Sequence, residues 1–172
     1  LIKHNISTEF ISTVPKINTT IKTRYLSAGS QLLRLDYDSE GPIGSSYINF
    51  EQKIRKEIDK FDYIIISDYD KGVCSDLLVK NVIQEALKCN IQVYVDPKGK
   101  NWHKYSNASC ITPNTKEVED HLKTSLNSDL EFEKAAELLK NKYNLDSCLI
   151  TRGSSGMTFN INNNSYHQKV EK

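Results

Sequence analysis

A series of short β-branched runs, each ending in a polar, turn-forming cluster, constrains this chain more than any other feature. The first, Asp62-Tyr63-Ile64-Ile65-Ile66-Ser67, leads into Asp68-Tyr69-Asp70-Lys71-Gly72. The second, Ile91-Gln92-Val93-Tyr94-Val95, leads into Asp96-Pro97-Lys98-Gly99, and the third, Ser109-Cys110-Ile111-Thr112, into Pro113-Asn114-Thr115-Lys116-Glu117. Between the first two lies a helical stripe of Leu78, Val79, Val82, Ile83, Ala86 and Leu87, with Ser75 placed to cap it. Short strands separated by helix are the pattern of a parallel α/β sheet. In such sheets ligands bind beyond the carboxyl ends of the strands. Asp68, Lys71, Asp96, Lys98, Asn114 and Glu117 are therefore the first candidates for a site.

A chain of 172 residues suits one domain, and Leu, Ile, Val and Phe make up about a quarter of it, enough for a core. Its 23 basic and 22 acidic residues are interspersed, giving a net charge of +1. That balance offers no general field for nucleic acid or an anionic membrane. The apolar run Tyr63–Ile66 is too short to span a bilayer, and no signal peptide is expected. Cys74, Cys89, Cys110 and Cys148 form no C-x-x-C pair, which fits a reducing cytoplasm better than a disulfide framework or a zinc site. The chain opens at Leu1 rather than Met, as a piece of a longer polypeptide would.

Taken in order, residues 9–14 read as a weak strand stopped by Pro15. Residues 18–26 and 31–37 read as a hairpin around Ala28-Gly29-Ser30, with Leu33, Leu35 and Tyr37 on one face and Leu32, Arg34 and Asp36 on the other. Residues 39–46 form a loop, and a helix is expected over 47–60 with Phe50, Ile54, Ile58 and Phe61 inward. Beyond the three strands, Asn101–Tyr105 reads as a helical turn and 115–122 as a helix carrying Val118 and Leu122 inward. Ser128 and Glu131 form a capping box that opens a helix to Tyr143. Strands follow at 147–151, 157–161 and 165–170.

Each motif has a plain structural reading beside a chemical one. Pro97 prevents a helix start at Asp96, so Asp96 and Lys98 project from a rigid turn, where a lysine is a point charge suited to phosphate. The plain alternative is a strand exit with a solvated lysine. Asn114 and Glu117 straddle a helix start; they are either a reciprocal capping box or oxygen ligands near a hydrated Mg²⁺. Gly153-Ser154-Ser155-Gly156 is either a hairpin turn or a loop that brings backbone amides to a nucleotide. Asp68-Tyr69-Asp70 reads as a turn, or as a D-x-D metal site of a nucleotide-sugar enzyme. His4, His103, His121 and His167 share no ligand spacing and are each read as surface residues. The chain has no P-loop sequence.

Together these pieces resemble the ribokinase-type (PfkB) carbohydrate kinases, and among them most closely the bacterial heptose 7-phosphate kinases that occur fused to an adenylyltransferase. The resemblance rests on Thr20-Ile21-Lys22-Thr23-Arg24-Tyr25-Leu26-Ser27, Gln31-Leu32-Leu33-Arg34-Leu35-Asp36, Ser67-Asp68-Tyr69-Asp70-Lys71-Gly72, Asp96-Pro97-Lys98-Gly99, Thr112-Pro113-Asn114-Thr115-Lys116-Glu117 and Thr151-Arg152-Gly153-Ser154-Ser155-Gly156-Met157, in family order. It implies a three-layer, mostly parallel α/β fold, present here in part, with residues 18–37 as a β-hairpin lid and 47–172 as the α/β core. It also implies ATP and Mg²⁺ as cofactors and phosphoryl transfer to the anomeric hydroxyl of a phosphorylated heptose. Lys98, Asp96, Asn114, Glu117, Thr151, Gly153 and Gly156 would lie about the ATP phosphates, with Asn114 and Glu117 acting on the metal through water or phosphate. Arg34, Asp68 and Lys71 would lie on the sugar-phosphate and lid side, and the lid would pair two subunits.

The resemblance also has gaps. The family's Gly-rich sugar site precedes the part matched here, and its G-A-G-D motif, which carries the catalytic base, follows it. The expectation is a middle piece of a kinase, inactive alone, in which Asp70 stands where the family has a small residue. Other readings are a different ribokinase-type sugar kinase, a metal-dependent glycosyltransferase using Asp68-x-Asp70, and a non-catalytic dimerisation module built on the hairpin.

Overall fold

The computed structural model describes residues 2–14, 18–38, 46–162 and 164–170. The chain divides into two compact units, Leu1–Phe50 and Glu51–Lys172.

The first unit is organised by an antiparallel hairpin of β1 (Ile21–Ser27) and β2 (Ser30–Tyr37). Ala28 and Gly29 both have positive φ, which matches the twist of the flanking strands. The register sets Ile21 opposite Tyr37, Thr23 opposite Leu35 and Tyr25 opposite Leu33 on one face; Lys22 opposite Asp36 and Arg24 opposite Arg34 lie on the other. The apolar face and the charged face are those the alternation predicts. Ile21, Tyr25, Leu33 and Tyr37 are exposed. The strand expected at 9–14 does not form: Glu9 and Phe10 lie in a turn closed by the Ile11 N–H on the Thr8 carbonyl, and among the described residues no strand pairs with it. Pro15 lies outside the described residues, as does the predicted loop at 39–45.

The second unit contains a six-stranded sheet whose spatial order follows the sequence: β3 (Tyr63–Ser67), β4 (Gln92–Asp96), β5 (Cys110–Ile111), β6 (Ser147–Thr151), β7 (Met157–Ile161) and β8 (Asn164–Gln168). The first four are parallel; β7 and β8 add antiparallel strands. Helix α1 (Ser46–Glu57) runs across the boundary of the two units and is continued by a 3-10 turn, Ile58–Lys60; α2 (Asp76–Lys88), α3 (Thr115–Leu122) and α4 (Asp129–Tyr143) belong to the second unit. A 3-10 turn, Trp102–Tyr105, joins β4 to β5.

The core lies on one face of the sheet. Ile66, Val93, Val95, Ile111, Cys148 and Ile150 point into it and pack against Leu78, Val79, Val82, Ile83 and Ala86 of α2, Val118 of α3, and Phe132, Ala135, Ala136, Leu139 and Tyr143 of α4. Leu87, predicted inward, is exposed because it lies just past the edge of that α2 arc. Phe61 is also exposed, since the tighter turn at Ile58–Lys60 breaks the helical phase before it. The residues that alternate to the opposite face of the sheet include Tyr63, Ile65, Met157 and Tyr166, all exposed; Ile65 is 77% accessible. Among the described residues this is the sheet and one helical layer of a mostly parallel α/β fold.

Candidate phosphate site at the strand ends

The turn after β4 and the start of α3 meet beyond the carboxyl ends of the parallel strands. Asn114 caps α3: its side-chain oxygen accepts the Glu117 N–H at 3.0 Å, and the Glu117 carboxylate accepts the Asn114 N–H at 2.9 Å. The capping box is thus real. It uses one oxygen of Glu117; the other meets the Lys98 ammonium at 2.5 Å. That hydrogen bond, aided by the charges of Asp96 and Asp70, holds Lys98 protonated above the usual lysine range. Partial burial pushes the Asp96 carboxyl up, as does the Glu117 charge, while Lys98 opposes the shift. A cavity of about 590 Å³ opens beside the pair, walled by Lys98, Asn114, Lys116, Glu117, Trp102 and His121, among others.

The end of β6 lies beside Asn114. Thr151 forms an isolated parallel bridge to Asn114, its N–H donating to the Pro113 carbonyl at 2.9 Å and its carbonyl accepting from the Thr115 hydroxyl at 3.2 Å. The Gly-rich stretch that follows is a short 3-10 turn, Gly153–Ser155, and Arg152 anchors it by donating to Asp129 at 2.7 Å and Thr158 at 3.2 Å while lying over the Phe132 ring. Gly156 has φ +95°, and a Cβ there would fall 1.8 Å from the Gln168 carbonyl oxygen. Its glycine is required by the close approach of β8. Around Gly153, by contrast, the space is open.

The turn after β3 is tied to this site from beneath. Asp68 is buried, at 4% exposure, and its carboxylate is fully engaged. One oxygen accepts the Asp70 N–H at 2.7 Å; the other accepts the Lys104 ammonium and the Tyr105 hydroxyl, each at 2.6 Å. Lys104 also donates to the Cys74 carbonyl at 3.0 Å, so both members of this buried ion pair have hydrogen bonds beyond the one they share. Burial pushes the Tyr105 phenol up, reinforced by Asp68. Burial also raises the Cys74 thiol, to about 11. The turn reading of Asp68 is the one realised. As a D-x-D metal site the segment lacks convergence: Asp68 is committed to Lys104, and the Asp70 carboxylate packs against Gly99. No group of three or more metal-ligating side chains occurs among the described residues.

The structure therefore brings together Asp96, Lys98, Asn114, Glu117 and Thr151, with the Gly153–Gly156 turn continuing from Thr151. Lys71 is exposed in the turn after β3, and Arg34 lies in the hairpin unit, its guanidinium held by Asp36 at 2.9 Å. Sequence reasoning missed Lys104 and Tyr105; the only local signal was their place in the predicted turn at 101–105. It also misjudged two histidines. His121 stacks on the buried Trp102, with ring centroids 4.2 Å apart, and bonds the Tyr143 hydroxyl at 2.7 Å. His167 is bracketed by Thr158 at 3.0 Å and Glu133 at 2.9 Å. Both are partly buried rather than surface groups.

Comparison with known proteins fits this geometry. The whole chain, residues 1–172, matches the family described as pfkB family carbohydrate kinase. The chain belongs to that family. It is 34% identical over 160 residues to the bifunctional protein HldE of Trichlorobacter lovleyi, covering 91% of this chain and 32% of that protein. It thus spans about a third of the length of the curated relatives it matches. Among solved structures, the crystal structure of Sa239 superposes with a TM-score of 0.77 at 17% identity, covering 99% of this chain and 55% of that one. The ribokinase of Arabidopsis thaliana, solved with ribose and ATP, gives a TM-score of 0.59 at 14% identity, covering 69% and 38%. At these identities the structural likeness speaks for the fold.

Proposed function

We propose that this chain supplies the nucleotide-phosphate part of an ATP-dependent kinase that phosphorylates the anomeric hydroxyl of heptose 7-phosphate, in the pathway to ADP-heptose and the lipopolysaccharide core. The observation that carries the reading is the meeting of Asp96, Lys98, Asn114, Glu117 and Thr151 beyond β4, β5 and β6, on motifs that run in the order of the family. The similarity to HldE bifunctional proteins favours heptose phosphate over other sugars.

Phosphoryl transfer depends on positioning and on charge stabilisation of the transferring group. Lys98 is a point charge already gathered at the site by Glu117, and one unit charge near another is worth roughly 1–4 kcal/mol at 4 Å in water-like to surface dielectrics. Thr151, bridged to Asn114, and the Gly153–Gly156 turn that follows it would face the phosphates. The carboxylates of Glu117, Asp96 and Asp70 lie near Lys98, with Lys100, Lys116 and Lys123 also lining the cavity; a hydrated Mg²⁺ brought with the nucleotide would be held by Glu117 and Asn114 through water or phosphate. When bound, the metal neutralises phosphate charge. Arg34, Lys71 and Asp68 are assigned to the sugar-phosphate and lid side. The apolar hairpin face, Ile21, Tyr25, Leu33 and Tyr37, would bury against a second subunit as a lid. A cytoplasmic setting suits the four free cysteines. A general base must reach the acceptor hydroxyl. This reading assigns it to the G-A-G-D segment of a polypeptide as long as the relatives, so the 172-residue chain alone is inactive.

The test is ADP release with MgATP and heptose 7-phosphate, fructose 6-phosphate or ribose, on this chain and on a polypeptide of the relatives' length. The reading expects turnover only from the longer polypeptide, with heptose 7-phosphate preferred. Preference for another sugar would replace the heptose assignment, and turnover by the 172-residue chain would refute the division of the site.

A further inference from the structure

The Lys98 side chain is long and exposed, so where its ammonium sits depends on how its peptide is held. Tyr105 holds it. The Tyr105 oxygen lies 3.2 Å from the Lys98 N–H and 3.1 Å from the Lys98 carbonyl. The hydroxyl has one proton, and Asp68 at 2.6 Å is the shorter, charged acceptor. The hydroxyl therefore donates to Asp68 and accepts from the Lys98 N–H. Lys104 fixes the same Asp68 oxygen from the other side at 2.6 Å and is itself tied to the Cys74 carbonyl. The second Asp68 oxygen folds Asp70 back through its N–H, at φ +54°, so that the Asp70 carboxylate presses on Gly99, where a Cβ would meet it at 2.9 Å. The network thus ends on the two residues of the turn that present the ammonium, Lys98 and Gly99.

We infer that Tyr105 and Lys104, carried on the 3-10 turn after β4, are positioning residues for Lys98, setting through Asp68 the peptide from which its ammonium reaches Glu117. The functional weight of this rests on the reading of Lys98 as a phosphate ligand; the positioning itself does not. A merely structural tyrosine would support the fold without altering one lysine among several.

The experiment is competitive acetylation of the 172-residue chain with limiting reagent, read peptide by peptide, with Lys116 and Lys123 as internal references. Acylation needs the neutral amine, which the Glu117 contact suppresses at Lys98. In Tyr105→Phe the Lys98 rate should rise about threefold or more relative to Lys116 and Lys123, as its ammonium loses its fixed place against Glu117, with faster exchange of the Lys98 amide. Asp68→Asn, which keeps the side-chain shape, should move Lys98 the same way. Tyr143→Phe, which removes the hydroxyl bonded to His121, should leave the ratio unchanged. Wild-type ratios and exchange in both Tyr105→Phe and Asp68→Asn would overturn the inference. A separate arm adds MgATP to the wild type: failure to protect Lys98 would count against the phosphate reading, while the variant comparison decides the positioning role independently.

Discussion

The ammonium of Lys98 and the carboxylate of Glu117, 19 residues apart in the chain, meet at 2.5 Å where β4 and β5 end. Glu117 serves two purposes at once. One oxygen closes the capping box of α3 with Asn114, and the other gathers the lysine. A helix cap and a charged site are therefore the same residue.

These two purposes separate by mutation. Glu117→Gln keeps an acceptor for the Asn114 N–H but removes the charge, and an exposed ion pair is worth under about 1 kcal/mol. Asn114→Ala removes the cap and should cost about 1 kcal/mol. Urea denaturation is expected to find Asn114→Ala the less stable of the two, although Glu117→Gln does more to Lys98.

Breaking the buried pair beneath the site has a larger effect. Lys104→Ala leaves the Asp68 anion buried and one partner short, a loss of about 3–5 kcal/mol. Lys98→Ala, at the exposed end of the same network, should cost under about 1 kcal/mol. Equal midpoints in urea would contradict the assignment of Lys104 to structure and Lys98 to ligand.

His121 gives the fold an acid sensitivity. Burial holds its imidazole below the ordinary value of 6.5, with the charges of Lys142, His103 and Lys123 acting the same way. Trp102 and the Tyr143 hydroxyl cover it from the neighbouring elements. Because the unfolded chain takes up the proton first, this contribution is complete above pH 6.5 and is lost as pH falls from there toward the folded-state value. His121→Gln should flatten that part of the thermal stability profile between neutral pH and pH 5.

The uncovered sheet face should make this chain associate. Tyr63, Ile65, Met157 and Tyr166 are exposed on strands of a mostly parallel sheet, a type ordinarily covered on both faces. Sedimentation of the 172-residue chain should show concentration-dependent association, and Ile65→Glu should reduce it. An unchanged profile would assign any association to the hairpin instead.

Much of this was legible because it is local. The α3 and α4 boundaries, both capping boxes and the limits of β6 and β7 depend on residues within a few positions of one another. What escaped is long-range. Lys104 is buried because Asp68, 36 positions back in the numbering, meets it, and nothing near Lys104 announces that. His121 and His167 are sheltered by Tyr143 and Glu133, which are 22 and 34 residues away. The strand expected at 9–14 failed for the same reason: a strand needs a partner, and among the described residues none pairs with it. Gly156 was legible as a loop glycine, yet its reason, the Gln168 carbonyl 1.8 Å from a Cβ, belongs to the tertiary fold.

The central claim is that Lys98, Asn114 and Glu117 form a phosphate site for MgATP, and calorimetric titration of MgATP tests it most directly. The chain should bind weakly, and Lys98→Ala and the Asn114→Ala, Glu117→Ala double variant should each abolish the heat without unfolding the protein. Binding that survives both substitutions would contradict the account, leaving the capping box and its lysine as features of the fold alone.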